Sequence, residues 1–281
     1  MKNNIIVHTN IDDIDLIFAK YSVDFAKSVN AKITFCDIVT AEIPNHAITQ
    51  PNYIHAGEMP VYTNRIEKVT EAVERKLSKL CHQLSNEWEH IDYKVLTNVN
   101  YIDALRDLVN ELEARYILIS KVQSPNFWNK WLGTVSTTVA EELNIPTIIV
   151  PQNQKFVPFK HLLHQIELNG MDMSKLKKTL VLSRQLNTKV TATYFDDNDS
   201  ISNKMFENRT SFLGRMIRYP SISFKYYSTS NLNETLNTLI QASDIDVIAL
   251  RHHQESILNR IFNTDYTDKI ILENDVPFIV Y

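Results

Sequence analysis

Glycine is scarce in this chain. Its 281 residues hold four: Gly57, Gly133, Gly170 and Gly214. Loops that cradle phosphate need glycine, because their backbone must reach positive φ and approach the ligand closely. Glycines so far apart spell neither GxGxxG nor GxxxxGK, so the dinucleotide and P-loop fingerprints are excluded. Cysteine is almost as rare. Cys36 and Cys81 cannot build a disulfide framework, and they fit a reducing compartment. No run approaches the roughly 18 apolar residues of a membrane span. The apolar run near the N-terminus, NIIVH, is too short for a secretory signal, so the expected location is the cytoplasm. Positive charge is not in excess either. A net charge of -4 offers no overall basic balance, and neither nucleic acid nor an anionic membrane is expected as a partner.

What is present is a soluble globular composition, 44% apolar and 22% charged, over a length that suits two ordinary domains. Short β-branched runs alternate with amphipathic stretches, the pattern of an α/β fold with a parallel sheet. Strands are expected at NIIVH, KITFCDIV, YKVLT, YILIS and TIIVP. Helices are expected over 12–29, 62–84, 101–114 and 134–143, with Ile102, Leu105, Val109 and Leu112 sharing one face of the third. The second half repeats the order: strands at HLLHQIEL, KVTATYF, SFKYYS, DVIAL and PFIVY, helices over 173–186, 201–217, 232–242 and 266–273. Placing Pro146 on Pro277 superposes the last unit of each half and sets Gly133 on Thr264. Self-similarity of this kind predicts tandem domains, 1–151 and 159–281, joined by the polar segment QNQKFVPFK. Residues 41–63, rich in Pro and Asn and without periodicity, read as a loop: a surface excursion, a lid or a dimer contact.

Five strands in βαβαβαβαβ order, closing on LGTVSTTVAEELNIPTIIVP, resemble the universal stress protein family, and two such units resemble its tandem members. The resemblance implies two doubly wound, five-stranded parallel sheets of order 3-2-1-4-5 with helices on both faces. It also implies an intrachain pseudo-dimer of repeats, or a homodimer, through the final strands. Members that bind ATP carry an Asp after the first strand, use the backbone at the end of the second, and have three spaced glycines after the fourth. On that frame Asn10 takes the acidic position and would contact ribose, and the Ile38 and Val39 backbone would contact adenine. Ser120 and Gln123 replace the first two glycines. Gly133 and Thr134 retain the final pair, with Val135 and Ser136 beside the phosphates. In the second repeat the frame falls on Glu167, Arg251, Gln254, Thr264 and Asp265. All three glycines are lost there, and a carboxylate stands where phosphate would sit.

Taken as residues alone, Gly133 and Thr134 at a helix start suit an anion, and Thr134 or Ser136 equally suits a plain N-cap. Lys121 is either a phosphate contact or a solvated side chain. Asn10 can still hydrogen-bond but brings no charge, and Asp13 after it suits the first helix as a cap. His161 and His164, three apart on a strand, point to opposite faces and cannot share a metal. His252 and His253 form a loop pair without a third ligand at metal spacing. Phe127, Trp128 and Trp131 mark either a binding surface or a packing contact. No GxSxG is present. The expectation is a non-catalytic protein, with no cofactor or with ATP in repeat 1 only, acting by binding or by contacts with unidentified proteins. The alternatives are a working ATP site in repeat 1, an adenine-nucleotide α-hydrolase-like enzyme, or a pure scaffold.

Overall fold

Short runs rich in β-branched and aromatic residues form the strands, buried on both faces at Asn4–His8, Thr147–Val150, Val247–Leu250 and Phe278–Val280 and only half-buried at Ile91–Asn98 and Ile222–Ser228. The computed structural model describes residues 3–9, 15–40, 58–98, 100–120, 139, 142–167, 173–196, 201–242, 244–250 and 276–281. They fall into two compact units, Met1–Ile119 and Ser120–Tyr281.

In the first unit β1 (Asn4–His8), β2 (Lys32–Thr40), β3 (Ile91–Asn98) and β4 (Ala114–Ser120) lie in the order β3-β2-β1-β4. All three pairings are parallel, with Ile5 opposite Ile33 and Tyr116, and Ile33 opposite Ile91. The crossovers are α1 (Leu16–Ser28), α2 (Glu58–Leu84) and α3 (Tyr101–Leu112). Asp15 caps α1 by accepting from the Ile17 N–H at 2.8 Å, and Asn100 caps α3 through the Ile102 N–H at 3.0 Å. The expected cap Asp13 lies outside the described residues. α1 presses Phe18, Tyr21 and Phe25 into the sheet, each such burial contributing roughly 1.5–3 kcal/mol. On α3 the fully buried row is Ala104, Leu105 and Leu108, and Ile102, Val109 and Leu112 only flank it. α2 starts at Glu58, earlier than the composition of 41–63 suggests. Pro60 falls in its first turn, where a missing N–H costs no helical hydrogen bond. Residues 41–57 lie outside the described residues.

The second unit contains β6 (His161–Gln165), β7 (Lys189–Asp196), β8 (Ile222–Ser228), β9 (Val247–Leu250) and β10 (Phe278–Val280). Its helices are α4 (Met173–Leu186), α5 (Asn203–Met216) and α6 (Leu232–Ala242). These strands run parallel in the order β8-β7-β6-β9-β10, which is 3-2-1-4-5 counted within the unit. One detail departs from two separate all-parallel sheets. β5 (Thr147–Val150), the fifth strand of the first half by sequence, pairs antiparallel with β10, setting Ile149 opposite Phe278. Of the expected helix over 134–143, Val139, Glu142 and Leu143 are described and helical. The expected helix over 266–273 lies outside the described residues. Leu163, Ile248, Leu250, Phe278 and Val280 of the sheet form one buried cluster with Leu236 and Leu239 of α6.

The two units reuse their wiring at one constant offset. Thr9 N–H donates to Cys36 O at 2.9 Å, and Ile166 N–H to Thr193 O at 2.8 Å. Lys32 N–H bonds Asn3 O as Lys189 N–H bonds Lys160 O, both at 2.8 Å. Asn30 and Asn187 both end a first crossover helix in the left-handed region, at φ 49° and 56°. Asparagine tolerates that conformation better than most residues.

Candidate functional site

Doubly wound sheets bind ligands beyond the carboxyl ends of their strands, where the strand order reverses. In the first unit that point lies between β1 and β4. β1 ends in His8, whose ring meets the Tyr101 ring edge-on at 5.3 Å. Burial pulls the His8 pKa down to about 4, so the imidazole is neutral at pH 7. Tyr101 is held well above its ordinary value, first by burial and then by Cys36 and Asp37. Thr9 donates both its N–H (2.9 Å) and its hydroxyl (3.1 Å) to Cys36 O, tying the β1 exit to β2. Burial, with Asp37 adding to it, raises the Cys36 thiol far above its usual range, so no thiolate forms there.

Of the residues expected to hold a nucleotide, Ile38 is buried and Val39 half-buried at the end of β2, and Ser120 is half-buried at the end of β4. Asn10, Gln123, Gly133, Thr134, Val135 and Ser136 lie outside the described residues, as do Lys121, Phe127, Trp128 and Trp131. The His8 and Tyr101 pair was not singled out from sequence. The available signal was weak: a histidine closing a strand, and a tyrosine directly after the cap Asn100.

The corresponding corner of the second unit is built differently. Gln165 takes the place of His8, and its buried Oε1 has no hydrogen-bond partner among the described residues. Asp196 takes the place of Val39 and is 2% exposed. Its Oδ2 accepts from the Tyr226 hydroxyl at 3.1 Å and from the Ile201 N–H at 3.2 Å. Those bonds hold a carboxylate at the strand end where the family frame places adenine. Arg251, His252, His253, Gln254, Thr264 and Asp265 lie outside the described residues, and Glu167 is half-buried.

His161 and His164 do face opposite ways. His161 Nε2 reaches Thr191 Oγ1 at 2.7 Å, and His164 Nδ1 reaches Thr179 Oγ1 at 2.9 Å. Thr179 also bonds the Tyr281 hydroxyl at 2.5 Å, and Lys175 donates to Tyr281 O at 3.3 Å. This is a buried relay of a structural kind, with the His164 pKa pulled to about 3 by burial and then by Lys175. Among the described residues no three His, Cys, Asp or Glu side chains are grouped to hold a metal. Among them, too, no helix is long and apolar enough to cross a membrane.

No family model matches the sequence, and no curated protein matches it. Solved structures do. A universal stress protein from Archaeoglobus fulgidus DSM 4304 superposes with a TM-score of 0.63 at 13% identity, over 99% of this chain and 95% of that one. The fold is that of the universal stress proteins. Its two-domain arrangement spans the whole chain. A functionally unknown protein from Pseudomonas aeruginosa PAO1 matches at TM-score 0.57 and 8% identity, over 99% and 92% of the two chains. The cytoplasmic domain of a prokaryotic cation chloride cotransporter matches at 0.54 and 10%, over 100% and 95%. The universal stress protein fold thus appears here as it does in structures of quite different description.

Proposed function

We propose that this protein is a tandem, non-catalytic, stress-response type of protein that acts by binding or through protein contacts. Its nucleotide site in the first repeat is degenerate, and its second repeat holds no nucleotide. Asp196 carries this reading. The frame places the base at this strand end of the second repeat, and there a buried side chain already engaged by Tyr226 and Ile201 takes the place of Val39. In the first repeat the support is chemical. His8 is neutral, and Ile38 and Val39 can offer a base only main-chain groups. A chain of this design would hold adenine weakly at most, through the backbone of β2.

Thermal unfolding with and without magnesium ATP tests the reading. A site with a Kd a hundredfold below the ATP concentration would add about 2.7 kcal/mol. For domains of this size that is a rise of roughly 5–10 °C in Tm. The expected result at millimolar ATP is no rise. A shift of several degrees, or ATP released from the purified protein on denaturation, would overturn the degenerate site.

A further inference from the structure

The α5 helix carries two apolar rows, and the core uses one. Phe206, Thr210 and Leu213 turn inward, with Phe206 packed beside Ile166, Ala192 and Ile201. Met205, Phe212 and Met216 form the second row and are 39%, 63% and 63% exposed. At about 100° per residue these three share one direction, roughly a right angle round the helix from the buried row. They therefore lie along the flank of α5. Its outward ridge is Lys204, Asn208, Ser211 and Arg215, all exposed. The row repeats with the seven-and-four spacing of a coiled-coil seam, and Arg209 stands at the seam position between Met205 and Phe212.

The charge on α5 itself is one-sided. α5 contains Lys204, Arg209 and Arg215 against Glu207 alone. Of the α4 cations, Lys175 and Lys178 turn to Tyr281 O and Asn144, and Arg184 reaches the end of α5. Arg184 donates to Arg218 O at 2.9 Å and lies 5.6 Å over the Tyr219 ring, just past the end of α5. This concentration of cations sits in a chain whose net charge is -4.

We propose that the Met205, Phe212 and Met216 flank of α5 docks an acidic amphipathic helix of a partner protein. The heptad spacing supplies a seam for a helix, and Lys204, Arg209 and Arg215 of the same helix select glutamate and aspartate on the partner's flanks. Two methionines suit such a seam, because their unbranched side chains repack around different knobs. A bilayer would meet the polar ridge of Lys204, Asn208, Ser211 and Arg215 before it reached Phe212. A second copy packed α5 against α5 would bring Arg209 and Arg215 against their own kind. The proposal deepens the protein-contact part of the reading above. It is independent of the nucleotide site, so an ATP shift leaves it standing.

The test uses the full chain and a fluorescent synthetic peptide of about three heptads, with Leu at the seam and Glu on the flanks. A twin peptide carries Lys in place of Glu. The acidic peptide should bind saturably, move the methyl signals of Met205 and Met216, and lose affinity roughly tenfold with Phe212→Ser and with Arg215→Glu. Both positions are exposed, so both variants should melt as the parent does. The Lys twin should not bind. The proposal is overturned by absence of acidic-peptide binding, or by binding indifferent to both substitutions. Phe212-dependent capture by phosphatidylcholine vesicles carrying phosphatidylserine, or Phe212-dependent self-association in sedimentation, would also overturn it.

Discussion

Acid should weaken the second unit through His164, by an amount that follows from where the ring sits. The imidazole is buried, with Nδ1 on the Thr179 hydroxyl and one edge on the Tyr281 ring. Burial and the neighbouring Lys175 pull its pKa from 6.5 to about 3. In the unfolded chain the ring titrates near its ordinary value, so between those two values the unfolded chain binds a proton that the native one refuses. Stability from this group is therefore complete above pH 6.5 and is lost as pH falls from there toward 3. The slope is about 1.4 kcal/mol per pH unit, and the loss between about pH 6.5 and 5 is roughly 2 kcal/mol. Carboxylates change charge in the same range, so the comparison must be made with His164→Asn. That variant offers Thr179 a hydrogen-bonding group that does not titrate. Urea unfolding followed by circular dichroism should show the parent losing roughly 2 kcal/mol relative to the variant across that interval. Parallel pH profiles for the two proteins would refute the claim that His164 stays neutral in the fold.

Three further outcomes are expected. Thr179→Val removes the hydroxyl that serves both His164 and Tyr281 and should cost about 2–4 kcal/mol in urea unfolding, with Thr179→Ser recovering most of it. Gly214→Ala should raise Tm, because a Cβ there meets only Phe224 Cε2 at an ordinary 3.9 Å and an exposed helical glycine costs roughly 0.5–1 kcal/mol. Cys36 and Cys81 should react with a thiol reagent only in denaturant, since both are buried and burial pushes the Cys81 pKa up to about 12; reaction of the native protein within minutes would contradict this.

The strands and most helices were legible because their apolar runs are short, β-branched and separated by helical periodicity. α4 and α6 occur over the residues expected. The start of α2 was not legible. Pro60 and the polar residues before it resemble a loop, and a proline in the first turn cannot be told from one in a coil by composition. Nor could the pairing of β5 be read, because TIIV buries on both faces whether its neighbour is parallel or antiparallel. The His164 relay joins residues 15 and 102 positions apart, beyond any local pattern. Ile38 and Val39 lie near the end of β2 and Ser120 ends β4, positions readable from the apolar runs. Their neighbours His8 and Tyr101 meet only once β1 and α3 are packed.

The pairing of β5 with β10 also bears on how the protein is made. A ribosome delivers Thr147–Val150 long before Phe278–Val280, so one edge of a fully buried strand has no partner for most of synthesis. Each half, cut at the sequence boundary, would likewise carry a bare strand edge into solution, an invitation to stick to another nascent chain. The stretch that must be completed before that edge is covered runs from β5 to β10, across the boundary at which the sequence looks like two modules.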